Sequence, residues 1–89
     1  MGSMNVDYTK TFNKQFEKLP LKRQLQAKGA VALFLQDGSA PSLRNHALKG
    51  EWSGYRSISA GGDFRLHFRV LDQDNILFVA VGTHIQLYK

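Results

Sequence analysis

Along Asp63-Phe64-Arg65-Leu66-His67-Phe68-Arg69 polar and apolar side chains alternate, and each polar one can bind a phosphate or move charge on it. Successive side chains of a strand point to opposite faces. The spacing therefore predicts Phe64, Leu66 and Phe68 on a buried face and Asp63, Arg65, His67 and Arg69 on the other. Half-buried strands ordinarily show water a mixture of Thr, Ser, Lys and Glu. Three cationic or titratable groups beside one acid instead predict a working surface for an anion, which the planar fork of Arg grips in two places.

Such a surface needs neighbouring elements to hold it. Tyr55 to Ala60 reads as the preceding strand, Gly61-Gly62 as a hairpin turn, and Asp63 to Leu71 as the partner strand. Asp72-Gln73-Asp74-Asn75 is the next turn, and Ile76 to Val81 is continuously apolar, which predicts a central strand buried on both faces. Upstream, Asn5 to Tyr8 can start a strand and Thr9 is an N-cap. Phe12, Phe16 and Leu19 then recur at i, i+4 and i+7, an amphipathic helix that stops near Pro20. Leu21, Leu25, Ala32 and Leu35, with Val31 and Phe34 beside them, mark a second helix ending at Asp37-Gly38-Ser39. Ser42 to Gly54 has no sustained period and reads as a loop or short turn.

The predicted class is α+β, with an N-terminal helical hairpin packed on one face of an antiparallel sheet. With the helices over Phe64, Leu66 and Phe68, the side chains of Arg65, His67 and Arg69 project from the uncovered face, where a polymer could lie. Ser57 and Ser59 of the preceding strand share that face unless a bulge at the hairpin exchanges the two sides.

Composition narrows the chemistry. Eighty-nine residues, 43% of them hydrophobic, make one small domain with its own core. Met1-Gly2-Ser3 before Met4 reads as an expression scar, leaving 4–89 as the domain. The chain has no cysteine, which excludes disulfide scaffolds, thiolate zinc sites and cysteine nucleophiles. No apolar run could span a bilayer and no secretory signal pattern is present, so the expected location is the cytoplasm.

Net charge is +5, which favours an anionic partner, and its distribution says where. Residues 4–37 carry six bases against three acids, nearly all of them Lys at helical spacing, the pattern of a solvated helix face. Residues 38–69 carry five bases against two acids, and the bases are mostly Arg: Arg44, Lys49, Arg56, Arg65 and Arg69. This middle segment is the candidate contact for RNA or DNA.

Three stretches carry a family resemblance: His46-Ala47-Leu48-Lys49-Gly50-Glu51-Trp52-Ser53-Gly54-Tyr55-Arg56, then Asp63-Phe64-Arg65-Leu66, then Val81-Gly82-Thr83-His84 with Leu87-Tyr88. Together they resemble the RelE/YafQ family of bacterial toxins, small mRNA interferases of type II toxin–antitoxin systems. The resemblance covers the domain from about Asn5 and is sharpest from His46 to Tyr88. It implies cleavage of mRNA in the ribosomal A site without a metal or other cofactor, and a cognate antitoxin as partner.

That chemistry requires a base for the 2′-OH, cationic donors for the phosphorane, and an acid for the departing 5′-oxygen. By resemblance His84 is the acid, a task suited to a side chain that exchanges protons near neutral pH. Arg65 is the phosphate clamp, Tyr88 the terminal aromatic that stacks or orients, and His46 with Asp63 the base side. Lys49, Arg56, His67 and Arg69 are read as RNA-contacting support. YafQ-type members carry a further histidine where this chain has Ser59, and serine cannot replace imidazole as a proton carrier.

Other readings compete with these. A ParE-like gyrase poison has the same fold and basic character and needs no reacting histidine, and a catalytically weakened member would act by binding alone. Residue by residue, His84 can be an ordinary surface histidine, Asp63 a turn residue, and Tyr88 part of the core. Arg56 can pair with Glu51 or tie the loop to the sheet. Trp52 reads as a packing anchor and His67 as a solvated strand histidine.

Overall fold

Thr9 opens the first helix as its type predicts: its hydroxyl accepts the Phe12 N–H at 3.1 Å. The computed structural model describes residues 4–88, and Met1-Gly2-Ser3 and Lys89 lie outside the described residues. Strand β1 is Asn5–Tyr8, helix α1 Lys10–Glu17 and helix α2 Leu21–Gln36. Pro20, in extended backbone, separates the two helices and begins the second. A turn at Pro41–Leu43, strand β2 at His46–Ala47 and a second turn at Gly50–Trp52 lead to the main strands. These are β3 (Arg56–Gly61), β4 (Phe64–Asp72) and β5 (Asn75–Thr83), followed by the short helix α3 (His84–Leu87).

The sheet runs β1-β5-β4-β3-β2, so β4 is its centre and β5 has a partner on each side. It is mixed rather than antiparallel throughout, because β1 lies parallel to β5 with Asn5 opposite Asn75. Hairpin turns force antiparallel pairing on β3, β4 and β5, whereas β1 leads into helices and has no hairpin to set its direction. Beyond Tyr8 the free edge of β5 is closed by α1. Thr9 donates its hydroxyl to the Val79 carbonyl at 3.2 Å, and the Gln15 side chain accepts the Val81 N–H at 2.9 Å.

The helices cover the predicted face. Phe64, Leu66 and Phe68 are buried with Ile58, Phe78 and Val81, and Phe34 of α2 meets Phe68 at 4.9 Å and Phe78 at 5.9 Å between ring centroids. The face that α2 buries differs from the expected stripe: Ala27, Ala30, Val31 and Phe34 point inward, while Leu21 is 70% exposed and Leu25 58%. Both stripes are apolar, so spacing alone cannot choose between them. The small Ala27 and Ala30 allow the helix to approach the sheet closely, with one large ring, Phe34, to fill the gap.

The hairpin does contain a bulge, with Ala60 unpaired between Ser59 and Gly61. Gly61 and Gly62 take φ of 129° and 55°, which the tight reversal requires. The bulge falls beyond Ser59, so the faces of β3 and β4 stay in the predicted relation: Ser57 opposite His67, Ser59 opposite Arg65. Between Ser42 and Gly54 the irregular reading holds for most residues but misses β2. Two residues offer no period to read, and pairing with β3 defines the strand.

Candidate functional site

Four strands deliver one row of side chains to the face away from the helical hairpin. His46 on β2 lies opposite Ser57 on β3, Ser57 opposite His67 on β4, and His67 opposite Ala80 on β5. One step along, Ser59, Arg65 and Gly82 form the next row. Part of this face has a roof. Thr83 and Gln86 form a capping box that starts α3, turning the chain back over β5. Gly82 accommodates the return, since a Cβ there would stand 2.9 Å from Gln86 Oε1, an atom held by the Thr83 N–H at 2.8 Å. From the other side the Gly50–Trp52 turn brings in Trp52, whose Nε1–H donates to the Leu87 carbonyl at 3.1 Å.

Beneath that roof lies His67, which contradicts its expected place as a solvated, RNA-contacting residue. It is 0% exposed. Its ring meets Trp52 edge-on at 4.4 Å and Tyr88 at 5.6 Å, and neither ring nitrogen has a hydrogen-bond partner among the described residues. Burial, reinforced by the nearby Arg65, His46 and His84 charges, pushes its pKa down to about 4. At neutral pH it is an uncharged imidazole with no access to a polymer. Alternation assigned the correct face, but what covers that face comes from residues 15 and 21 positions away in the chain.

The groups left open to solvent surround this sealed ring. His84, the first residue of α3, is exposed and stacks on Tyr88 at 4.5 Å with 29° between the planes. Tyr88 is 39% exposed, which rules out the core reading. Arg65 is half-buried between Ser59 and Gly82. His46 is exposed, and its Nδ1 lies 2.6 Å from the Arg44 carbonyl. A carbonyl only accepts, so Nδ1 carries a proton, and in the neutral tautomer Nε2 is the ring's acceptor. Arg44 itself adopts a left-handed φ of 49°.

The family model described as the bacterial toxin of type II toxin–antitoxin system, YafQ, matches residues 4–89. The chain belongs to the YafQ toxin family. No curated protein matches the sequence. Its fold is that of the crystal structure of YafQ from E. coli, with a TM-score of 0.79 at 23% identity over 97% of this chain and 99% of that one. The E. coli DinJ–YafQ complex gives 0.72 at 25% identity over 97% and 99%. A solution structure of a conserved hypothetical protein from Helicobacter pylori gives 0.67 at 30% identity over 94% and 98%.

Within this YafQ-family fold, the expected residues fall into separate groups. His84, Tyr88 and Asp63 come together, since the His84 N–H donates to the Asp63 carbonyl at 2.9 Å. Asp63 thus sits in the turn before β4, beside the residue expected to be the acid, while His46 stands two strands away from β4 on β2. Lys49 and Arg69 are exposed. Arg56 is half-buried and tied to the loop: its Nε–H donates to Asn45 Oδ1 at 2.9 Å, and Asn45 in turn donates to the Gly38 carbonyl. Ser59 accepts the Gly61 N–H at 3.3 Å, a contact within the hairpin.

Two features were missed by sequence reasoning. The roof contact between Trp52 and α3 left no local signal. The helix itself did leave one, in the Thr83-x-x-Gln86 spacing of a capping box.

Proposed function

We propose that this toxin is a ribosome-dependent mRNA endoribonuclease that inhibits translation by cutting mRNA in the ribosomal A site, using the RNA 2′-OH as nucleophile. One arrangement carries the reading: two exposed imidazoles, His46 on β2 and His84 at the start of α3 after β5, flank the strand of Arg65 on opposite sides across the sheet. An acid, a base and a fixed cation are what a phosphoryl transfer through a 2′-oxygen requires.

In this reading His46 Nε2 takes the proton of the 2′-hydroxyl, and the 2′-oxygen attacks phosphorus in line with the bond to the 5′-oxygen. Arg65 offsets the charge that develops on the phosphorane oxygens. As the P–O5′ bond breaks, His84 donates a proton to the departing oxygen, leaving a 2′,3′-cyclic phosphate and a 5′-hydroxyl. Tyr88 holds the His84 ring by stacking and offers its exposed edge to a base. Asp63, tied through its backbone to His84, orients the acid side rather than the base side. Lys49, Arg69 and the free amino groups of Arg56 add attraction for the RNA backbone.

The partner that restrains the toxin is a cognate antitoxin. The DinJ–YafQ complex of E. coli supports this, and so does a groove of about 200 Å³ between α1 and α2 lined by Tyr8, Phe12, Phe16, Ala27 and Val31. An amphipathic antitoxin segment with acidic residues would suit that groove and the lysines of α1 beside it.

Primer extension on mRNA after induction, with parallel reactions on purified mRNA with and without ribosomes, tests the reading. Discrete new 5′ ends that require ribosomes are expected together with growth arrest. Intact mRNA with DNA-damage signalling would overturn it in favour of a gyrase poison.

A further inference from the structure

A buried polar ring without hydrogen bonds is costly to keep, and the core of this domain contains none elsewhere among its described histidines. His67 is such a ring, and it lies directly behind the groups read as reacting. Four rings form an unbroken series: Trp52 edge-on to His67 at 4.4 Å and 82°, His67 edge-on to Tyr88 at 5.6 Å and 68°, and Tyr88 stacked on His84 at 4.5 Å and 29°. Trp52 is itself fixed by its bond to the Leu87 carbonyl, so the series closes on α3 from both ends.

We propose that His67 is a positioning residue: an imidazole sealed between Trp52 and Tyr88, it seats the tyrosine ring on which His84 stacks and so sets where His84 presents its proton. This rests on the reading of His84 as the acid of the cleavage reaction.

The geometry gives His67 this leverage because α3 is only four residues long. The capping box fixes its start, and the ring series fixes its end. An aliphatic side chain would fill the same space without the edge-to-face geometry that orients Tyr88. The titratable and charged groups facing His67 are Arg65 on its own strand, His46 from β2, and His84 and Tyr88 from the α3 end. Burial above all, and the three that act on its charge, oppose protonation of the ring.

The test combines NMR with kinetics on the purified toxin and programmed ribosomes. Stacking on Tyr88 gives the His84 Hε1 resonance a ring-current displacement, calibrated by its loss in Tyr88→Leu. In His67→Leu we expect a folded protein whose His84 displacement is reduced, with kcat for mRNA cleavage lowered roughly 10-fold to 100-fold. KM should stay within about twofold, because His67 is sealed from solvent and cannot touch the substrate itself. His67→Phe, which restores a planar ring, should recover part of both losses. His67→Met carries the same test if the leucine variant fails to fold.

An unchanged His84 resonance in His67→Leu would overturn the proposal whatever the activity. A displaced resonance in a protein whose wild type cuts no mRNA would sink the reaction reading and leave the positioning intact.

Discussion

His46 and His84 are both exposed imidazoles, yet the backbone treats them differently. Arg44 fixes the tautomer of His46, whereas His84 is held by its own main chain and by the Tyr88 ring, with its side-chain nitrogens open. Replacing His84 with Ala therefore removes a proton donor without leaving a buried partner unpaired. Cleavage should fall ~10²–10⁴-fold, and folding stability should change by no more than about 0.5 kcal/mol. Growth arrest and primer extension read the first, urea denaturation the second; full toxicity in His84→Ala would remove its assignment as the acid. The polar face was legible in the sequence at this scale, because His, Arg and Asp at alternating positions announce one. His67 was not, because alternation says which way a side chain points and nothing about Trp52 and Tyr88 closing over it. Its burial makes a further prediction. The folded pKa of about 4 lies below the unfolded value near 6.5, so the unfolded chain binds more protons between these limits and stability falls as pH drops through that window. From pH 7 to pH 4.5 the loss from this one group is on the order of 2–3 kcal/mol at 1.36 kcal/mol per unit. Urea midpoints for wild type and His67→Leu at both pH values isolate it, and equal pH dependence in the two proteins would contradict it.

Among the elements, α2 shows what periodicity can and cannot decide. Its span was readable from Pro20 to Asp37, because proline and the Asp-Gly-Ser turn punctuate the chain strongly. Its inward face was not, since Leu21, Leu25 and Leu35 are as apolar as the residues that were buried instead. The consequence is a leucine-bearing surface on the outer side of the hairpin, with the Tyr8–Phe16 groove alongside. Under the proposed function this surface and groove meet the antitoxin. Leu21→Asp with Leu25→Asp should then weaken the complex by at least about 10-fold, since interface residues that matter cost more than 1 kcal/mol each when truncated. Both positions are already exposed, so the isolated fold should tolerate the change. Titration calorimetry against the antitoxin measures the first effect and circular dichroism the second. Undiminished binding would move the antitoxin to another surface. β2 was lost to the sequence for the opposite reason: two residues carry no period at all, and only pairing with β3 makes them a strand.

For the whole molecule, the class of fold was legible because each hairpin turn and each apolar run agreed with its neighbours, and consistency of that kind is what specifies a single structure. The direction of β1 lay beyond reach, since it depends on a partner seventy residues away. That long-range pairing makes β5 the mechanical centre of the domain. Phe78 of β5 packs against Tyr8, Phe12, Phe34 and Phe68, drawing β1, both long helices and β4 onto one ring. Phe78→Ala should cost about 3–5 kcal/mol. A domain of this size has a total stability of roughly 5–15 kcal/mol, so the variant sits near the edge of folding. Toxicity should then fall through loss of folded protein rather than loss of chemistry. The antitoxin offers a way to tell the two apart, because a partner that binds only the folded state adds stability as RT ln(1 + [L]/Kd), about 4 kcal/mol at a thousandfold excess over Kd. Phe78→Ala co-expressed with the antitoxin should therefore accumulate as complex to near wild-type levels, whereas the variant expressed alone is degraded. Toxin released from that complex should cleave at a normal initial rate before it unfolds. A folded, persistent Phe78→Ala protein with no cleavage would instead place Phe78 in the chemistry, which its position on the helix-covered face excludes.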